Sequence, residues 1–337
     1  MAVNISCNGY EIPLGLIKEQ LRYSGAKSIM LHAPDGLKHL YPCLADQLSL
    51  HGYSNIYYSL NPGYGACDIP LEEATTLGVD LILHLGHEEY SPNLRSTVAS
   101  KVVYVPVYYV GEVSNQALLQ LHEILRSLNG ATVVVSSTPI ELYARKKVVA
   151  YLEDKGFSVF EAEKPVLGCL YSHVVSMEAD IHVIVAGGLF HPIGLGLLVS
   201  KPVVALDPYM GRVWRVNKES EKVLRKRYYL LLKAREAVKG RVGLIAGTRP
   251  GQYRFELIKR LVEAANSHGF SVFHISSNYL TLERLYAIDA ALGLDFYVVT
   301  SCPRLPIDDL ADFHKPVLTP GEFLMILTDS VKYIYPW

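Results

Sequence analysis

Three valine- and isoleucine-rich runs open three similar stretches of this chain, and that repetition limits the folds it can adopt. AKSIMLHAPDGL (26–37), ATVVVSSTP (131–139) and RVGLIAGTRPGQ (241–252) each read as a strand running into a turn. A helical length follows each, near 37–51, 140–155 and 253–268. Second strands read at NIYYSL (55–60), FSVFEAE (157–163) and SVFHISS (271–277). Third strands read at VDLILHLGH (79–87), ADIHVIVAGG (179–188) and LGLDFYVVTSCP (292–303). Last strands begin with a similar Lys-Val or Lys-Pro-Val at Lys101, Lys201 and Lys315, the first running through KVVYVPVYY (101–109). Short apolar runs separated by helical lengths belong to parallel sheets covered on both faces. The expected fold class is therefore α/β, with three repeated Rossmann-like parallel-sheet sandwich units around a pseudo-threefold axis. The units span 1–112, 113–212 and 213–337.

With 337 residues, half of them apolar, each unit can bury a core without disulfide staples. A net charge of −1 gives no basic field for nucleic acid. The apolar stretch 181–200 contains His182, His191 and Pro192, so it reads as strand, loop and helix start and not as a membrane span. The N-terminus lacks a basic segment followed by a long apolar one, which points to a cytoplasmic protein. In that compartment the five cysteines are expected as reduced thiols or metal ligands. The run 212–241, with Arg225, Lys226 and Arg227 among glutamates, reads as a solvated helix.

Three cysteines lie just past strands, one per unit: Cys67 in YGACDIP, Cys169 in VLGCLYS and Cys302 in TSCPRLP. Ligands of open parallel sheets bind beyond those strand ends. Cys67 and Cys169 follow second strands and Cys302 a third, so they are not copies of one ancestral position. Three thiolates converging from different loops can hold a 4Fe–4S cluster and leave one iron open for chemistry. Three unrelated buried thiols are the plainer alternative. A structural zinc site would need a close Cys pair, and none is present. The Cys-x3-Cys-x2-Cys loop of ordinary radical S-adenosylmethionine enzymes is also absent. Cys7 and Cys43 match no motif and are assigned to packing.

Other loops offer binding groups. In GGLFHPIGLG (187–196), Gly187 and Gly188 allow a nucleoside to approach the backbone, and His191 can point into the cleft. GTRPGQ (247–252) lacks the Gly-Lys-Ser/Thr of a P-loop, but Arg249, Gln252 and the backbone there can hold an anion. Arg304 follows Cys302 across rigid Pro303 and is placed to meet a carboxylate. Asp207 ends a strand where α/β folds often bind a ribose hydroxyl.

YGACDIP, LGC, AGGLFHPIG and SCPR, in this order and with PDGL (34–37) at the first strand end, resemble the archaeal diphthamide synthase family over nearly the whole chain. Its members are 2-(3-amino-3-carboxypropyl)histidine synthases, which carry out the first step of diphthamide biosynthesis. The resemblance implies a 4Fe–4S cluster on Cys67, Cys169 and Cys302, with S-adenosylmethionine as co-substrate on the open iron. It implies reductive cleavage at the methionine γ-carbon and a radical transferase of atypical type. The 3-amino-3-carboxypropyl group would go to C2 of a histidine in translation elongation factor 2, leaving methylthioadenosine. A cytoplasmic homodimer of archaeal type, served by an unidentified electron donor, is part of the same expectation. Two rivals are a quinolinate synthase-like 4Fe–4S lyase, also built from three α/β units, and a non-catalytic iron–sulfur regulator.

Overall fold

The N-terminal segment opens on a device absent from the expected strand repeats. In the computed structural model, which describes residues 4–89, 101–237 and 240–337, β1 (Ile5–Cys7) and β2 (Tyr10–Ile12) form an antiparallel hairpin. Asn8 and Gly9 turn it with φ of 49° and 83°, the backbone a tight two-residue hairpin requires.

Each expected set of four strands then forms one sheet. The first holds β3 (Ser28–His32), β4 (Asn55–Tyr58), β5 (Leu81–Leu85) and β6 (Val102–Val105), in the order β4-β3-β5-β6. Next, β7 (Tyr108–Tyr109) leaves that sheet and pairs with β2. The run 101–109 was expected as one strand. Pro106 interrupts it, since proline cannot donate to a ladder. The second sheet holds β8 (Thr132–Ser137), β9 (Ser158–Glu161), β10 (Ile181–Val185) and β11 (Val203–Asp207), with β12 (Arg212–Arg215) antiparallel on its edge. The third holds β13 (Arg241–Gly247), β14 (Ser271–Ser277), β15 (Phe296–Val299) and β16 (Val317–Leu318). Counted within its own set, every sheet runs second-first-third-fourth, with these strands parallel.

One side chain recurs with that order. Asp80 accepts the Lys27 and Ser28 backbone N–H groups, each at 2.9 Å. Asp180 accepts those of Ala131 and Thr132 at 3.0 and 2.9 Å. Asp295 accepts that of Arg241 at 2.6 Å. In each sheet, an aspartate before the third strand pins the start of the first.

Burial explains the apolar runs. Every residue of β3, β5, β10, β11 and β15 is buried. The helix Asn115–Ser127 turns Ala117, Leu118, Leu121 and Leu125 inward, a helical stripe. The Ser114 hydroxyl caps it by accepting from Ala117 N–H. Among the described residues no helix is long and apolar enough to cross a membrane.

Three local expectations are corrected. The helix expected near 37–51 is a 3₁₀ segment, Asp35–Leu40, followed by the α-helix Tyr41–Ser49, whose second residue is proline. Cys7 and Cys43, expected as unpaired packing residues, are joined in a disulfide with Cα atoms 6.0 Å apart. The hairpin lies against the helix Tyr41–Ser49, which brings β1 and that helix within bridging distance. The basic run is the helix Asn217–Glu236, but Arg227 on it is buried. Its guanidinium donates to both oxygens of buried Glu322 and to the carbonyls of Pro306 and Val317.

Candidate active site

The three cysteine loops leave the carboxyl ends of β4, β9 and β15 and meet around one cavity of about 140 Å³. Cys67, Cys169 and Cys302 all line it, with Tyr64, His87, Phe190, His191 and Arg304 among its other walls. None of the three is in a disulfide. Among the described residues, no three His, Cys, Asp or Glu side chains are gathered closely enough for a single metal ion. The thiols ring a space instead of a point.

Each loop is held by another part of the chain. The turn after β13 clamps the Cys67 loop. Gly251 N–H donates to the Cys67 carbonyl at 3.1 Å, and the Gln252 amide reaches the Cys67 sulfur at 3.9 Å. Buried Arg249 pairs with buried Asp68 at 3.2 Å. A Cβ on residue 251 would lie 2.4 Å from the Cys67 Cα, so only glycine fits without a shift. Cys169 sits in a tight turn closed by the Leu167–Leu170 bridge. Tyr335, near the C-terminus, donates to the Gly168 carbonyl at 3.1 Å. Cys302 precedes the short helix Leu305–Asp309, and the Tyr64 hydroxyl donates to Asp309 on that helix at 3.1 Å.

A sequence model of the diphthamide synthesis protein family matches residues 33–336. The chain belongs to that family. It is 31% identical over 339 aligned residues to the 2-(3-amino-3-carboxypropyl)histidine synthase of Pyrococcus horikoshii, covering 96% of this chain and 92% of that protein. It is 25% identical to the Methanocaldococcus jannaschii protein of the same name, covering 90% of this chain and 86% of that one. The human synthase subunit 1 is also 25% identical, with 99% of this chain and 76% of the subunit covered. Among solved structures, Dph2 from Pyrococcus horikoshii with a 4Fe–4S cluster superposes with a TM-score of 0.79 at 28% identity. That match covers 99% of this chain and 94% of that one.

The residues present fit a cluster of the kind described for that Dph2 structure. The ligand set is all sulfur, the donor iron–sulfur centres take. Burial pushes the Cys67 thiol up to about 12, with Cys169 and Asp68 adding to it. Burial, then Cys67, also raises Cys302. Such thiols become thiolates once cationic iron supplies the missing charge. The Tyr171 hydroxyl is buried with no partner among the described residues; burial raises its pKa, with Cys169 and Cys302 adding to it. An unpaired O–H there suits a group rich in acceptors.

The remaining sequence candidates divide. His191 lines the cavity edge-on to the Phe190 ring, 5.3 Å between centroids. Burial, with His87 and Arg304 nearby, lowers it to about 4, so it is neutral at pH 7. Arg304 also lines the cavity. Its guanidinium lies 5.9 Å from the Tyr64 ring centre and 5.4 Å from that of Phe190, and pairs with Asp308 at 3.4 Å. It therefore both ties the Cys302 loop down and presents charge to the cavity.

Gly187, Gly188, Asp207, Arg249 and Gln252 do not line the cavity. The Asp207 carboxylate accepts from the Gly188, Tyr209 and Met210 N–H groups, so it closes the turn after β11. Gly187 N–H faces Glu141 at 3.4 Å. Arg249 is spent on Asp68 and the Asn278 carbonyl. Neighbouring segments of the fold satisfy these polar groups, which sequence position alone does not reveal. Sequence reasoning missed Tyr64, His87 and Phe190, because no spacing rule brings those loops together.

Proposed function

We propose that this chain is an S-adenosylmethionine-dependent 3-amino-3-carboxypropyl transferase acting on a histidine of translation elongation factor 2. It would carry a 4Fe–4S cluster on Cys67, Cys169 and Cys302. The observation that supports this best is the meeting of three thiol loops, one from each parallel sheet, around one cavity. Membership of the diphthamide synthesis family favours this reading over a quinolinate synthase-like lyase or a non-catalytic regulator. When bound, the cluster supplies a low-potential electron and an open iron for the reductive cleavage of S-adenosylmethionine.

The chain's own residues do the rest. Arg304 brings a guanidinium to the cavity and suits the methionine carboxylate. Tyr64 and Phe190 wall the space with rings and limit water around a reactive radical. Neutral His191 offers a hydrogen bond without adding charge. Holding the γ-carbon, and not the 5′-carbon, nearest the iron is a positioning task for these walls.

The wider reading includes units at 1–112, 113–212 and 213–337 about a pseudo-threefold axis, a homodimer of archaeal type and an external electron donor. It also includes a cytoplasmic location. The Cys7–Cys43 bridge is compatible with that location in hyperthermophilic cells, whose intracellular proteins are rich in disulfides.

The test is anaerobic reconstitution with iron and sulfide, dithionite reduction and product analysis. Methylthioadenosine should form and 5′-deoxyadenosine should not. Alanine at Cys67, Cys169 or Cys302 should remove most of the iron, whereas alanine at Cys7 or Cys43 should not. Dominant 5′-deoxyadenosine, or zinc in place of iron in an anaerobic preparation, overturns the proposal.

A further inference from the structure

Two buried histidines and a half-buried third form a continuous hydrogen-bonded ladder that ends at the cavity. His32 closes β3, and His84 stands beside it in register on β5. Both are fully buried. His32 Nδ1 meets His84 Nδ1 at 2.8 Å. His84 Nε2 meets His87 Nδ1 at 2.9 Å, and His87 lines the cavity. At the inner end, His32 Nε2 lies 3.2 Å from the Pro62 carbonyl.

That carbonyl sets the direction of the whole ladder. It can only accept, so His32 carries its proton on Nε2 and its Nδ1 is bare. His84 must then donate from Nδ1, which leaves its Nε2 bare. His87 must in turn donate from Nδ1. Its Nε2 is therefore unprotonated, and among the described residues it has no hydrogen-bond partner. This assignment needs all three rings neutral. Burial lowers His32 and His87 to about 4 and takes His84 well below its ordinary value.

We propose that this ladder is a proton relay that offers the bare Nε2 of His87 to the cavity as the acceptor of a proton released there. The inference rests on the transferase reading. When the γ-carbon bonds to C2 of the acceptor imidazole, the C2–H bond must break to restore aromaticity. The hydrogen leaves as a proton to His87 Nε2, and one electron passes to a one-electron acceptor of the iron–sulfur class. His87 then passes its Nδ1 proton to His84 Nε2. His84 passes its own Nδ1 proton to His32 Nδ1. The charge reaches His32 in transit; its Nε2–H still faces Pro62, the Lys38 and Arg249 cations oppose the charge there, and the Asp35 carboxylate favours it. His87 is the catalytic residue of this scheme, and His84 and His32 act through it.

The first test needs no cluster. Long-range ¹H–¹⁵N spectra of the ¹⁵N-labelled full chain at pH 7 report each imidazole tautomer. His32 should carry Nε2–H, and His84 and His87 should carry Nδ1–H. Nε2–H on His87, or a charged His87, overturns the relay. The second test uses His84→Gln, whose amide can donate and accept as imidazole does but cannot pass a proton through. It should keep the His87 tautomer, the iron content and the thermal midpoint. The ratio of modified elongation factor to methylthioadenosine should fall about 10²-fold, a typical general-base contribution. His84→Phe should lose the tautomer as well. Normal coupling in His84→Gln refutes the relay while leaving the transferase reading intact. If the wild-type chain forms no methylthioadenosine, the transferase reading fails, and with it the proton-acceptor role.

Discussion

Replacing Gly251 by alanine isolates the contact between the turn after β13 and the Cys67 loop. The new methyl would sit 2.4 Å from the Cys67 Cα, 2.7 Å from its Cβ and 2.9 Å from its carbonyl oxygen. Two of these atoms are backbone, so no rotamer change relieves the clash and one loop must move. Overpacking of this kind costs about 1–3 kcal/mol. Movement also weakens the Gly251 N–H bond to the Cys67 carbonyl, adding about 0.5–1.5 kcal/mol. The shift lands on a proposed cluster ligand, so iron retention should suffer more than global stability. The measurements are chemical unfolding of the chain without iron, and iron per chain after anaerobic reconstitution. Gly36→Ala is the control, because a Cβ there meets nothing within 4 Å. It should stay within about 0.5 kcal/mol of wild type. If Gly251→Ala matches wild type in both stability and iron content, the clamp does not hold Cys67 and the reasoning fails.

Other substitutions test other parts. Arg304→Ala should weaken S-adenosylmethionine binding by about 1.5–3 kcal/mol, one charged hydrogen bond, with iron content unchanged; lost iron with unchanged binding would assign Arg304 to the loop alone. Arg227→Met leaves Glu322 buried without its cation and should cost about 3–5 kcal/mol in chemical unfolding, while a change under 1 kcal/mol would contradict the buried pair. Asp80 has its carboxyl held below the usual range by the Lys27 and Ser28 N–H groups. Its stabilising effect is therefore complete above the unfolded value of about 3.9 and is lost as pH falls through the lower folded value. The stability gap between wild type and Asp80→Asn should be open at pH 7 and close in acid; a gap that widens in acid would reverse that sign.

Much of the fold was legible because it depends on local chemistry. Buried parallel strands must be apolar along their length, so β3, β8, β10, β11 and β13 show as runs of Val, Ile and Leu. Pro106 marks a break that the run 101–109 concealed, since the residues on both sides of it are equally β-prone. Arg227 was misread because a charged residue on a polar helix looks solvated until its acid is found, here Glu322, which lies 95 positions away. The Cys7–Cys43 bridge was missed for a related reason. Nothing in the sequence shows that the N-terminal hairpin folds over the helix Tyr41–Ser49.

The sequence by itself determined the three sets of strands, the place of each cysteine at a strand end and membership of the family, because all of these follow from residue type and order along the chain. Only the tertiary structure decided which strand-end loops share one cavity and which polar groups face it. Arg249 and Asp207 carry the right chemistry for a ligand, yet Arg249 is consumed by Asp68 and the Asn278 carbonyl, and Asp207 by the Gly188, Tyr209 and Met210 N–H groups. His32, His84 and His87 form a ladder only because parallel pairing sets β3 beside β5 in one register. The physical reason is that a hydrogen bond depends on distance and direction in space. Those are fixed when the sheets pack, and the order of residues along the chain does not contain them.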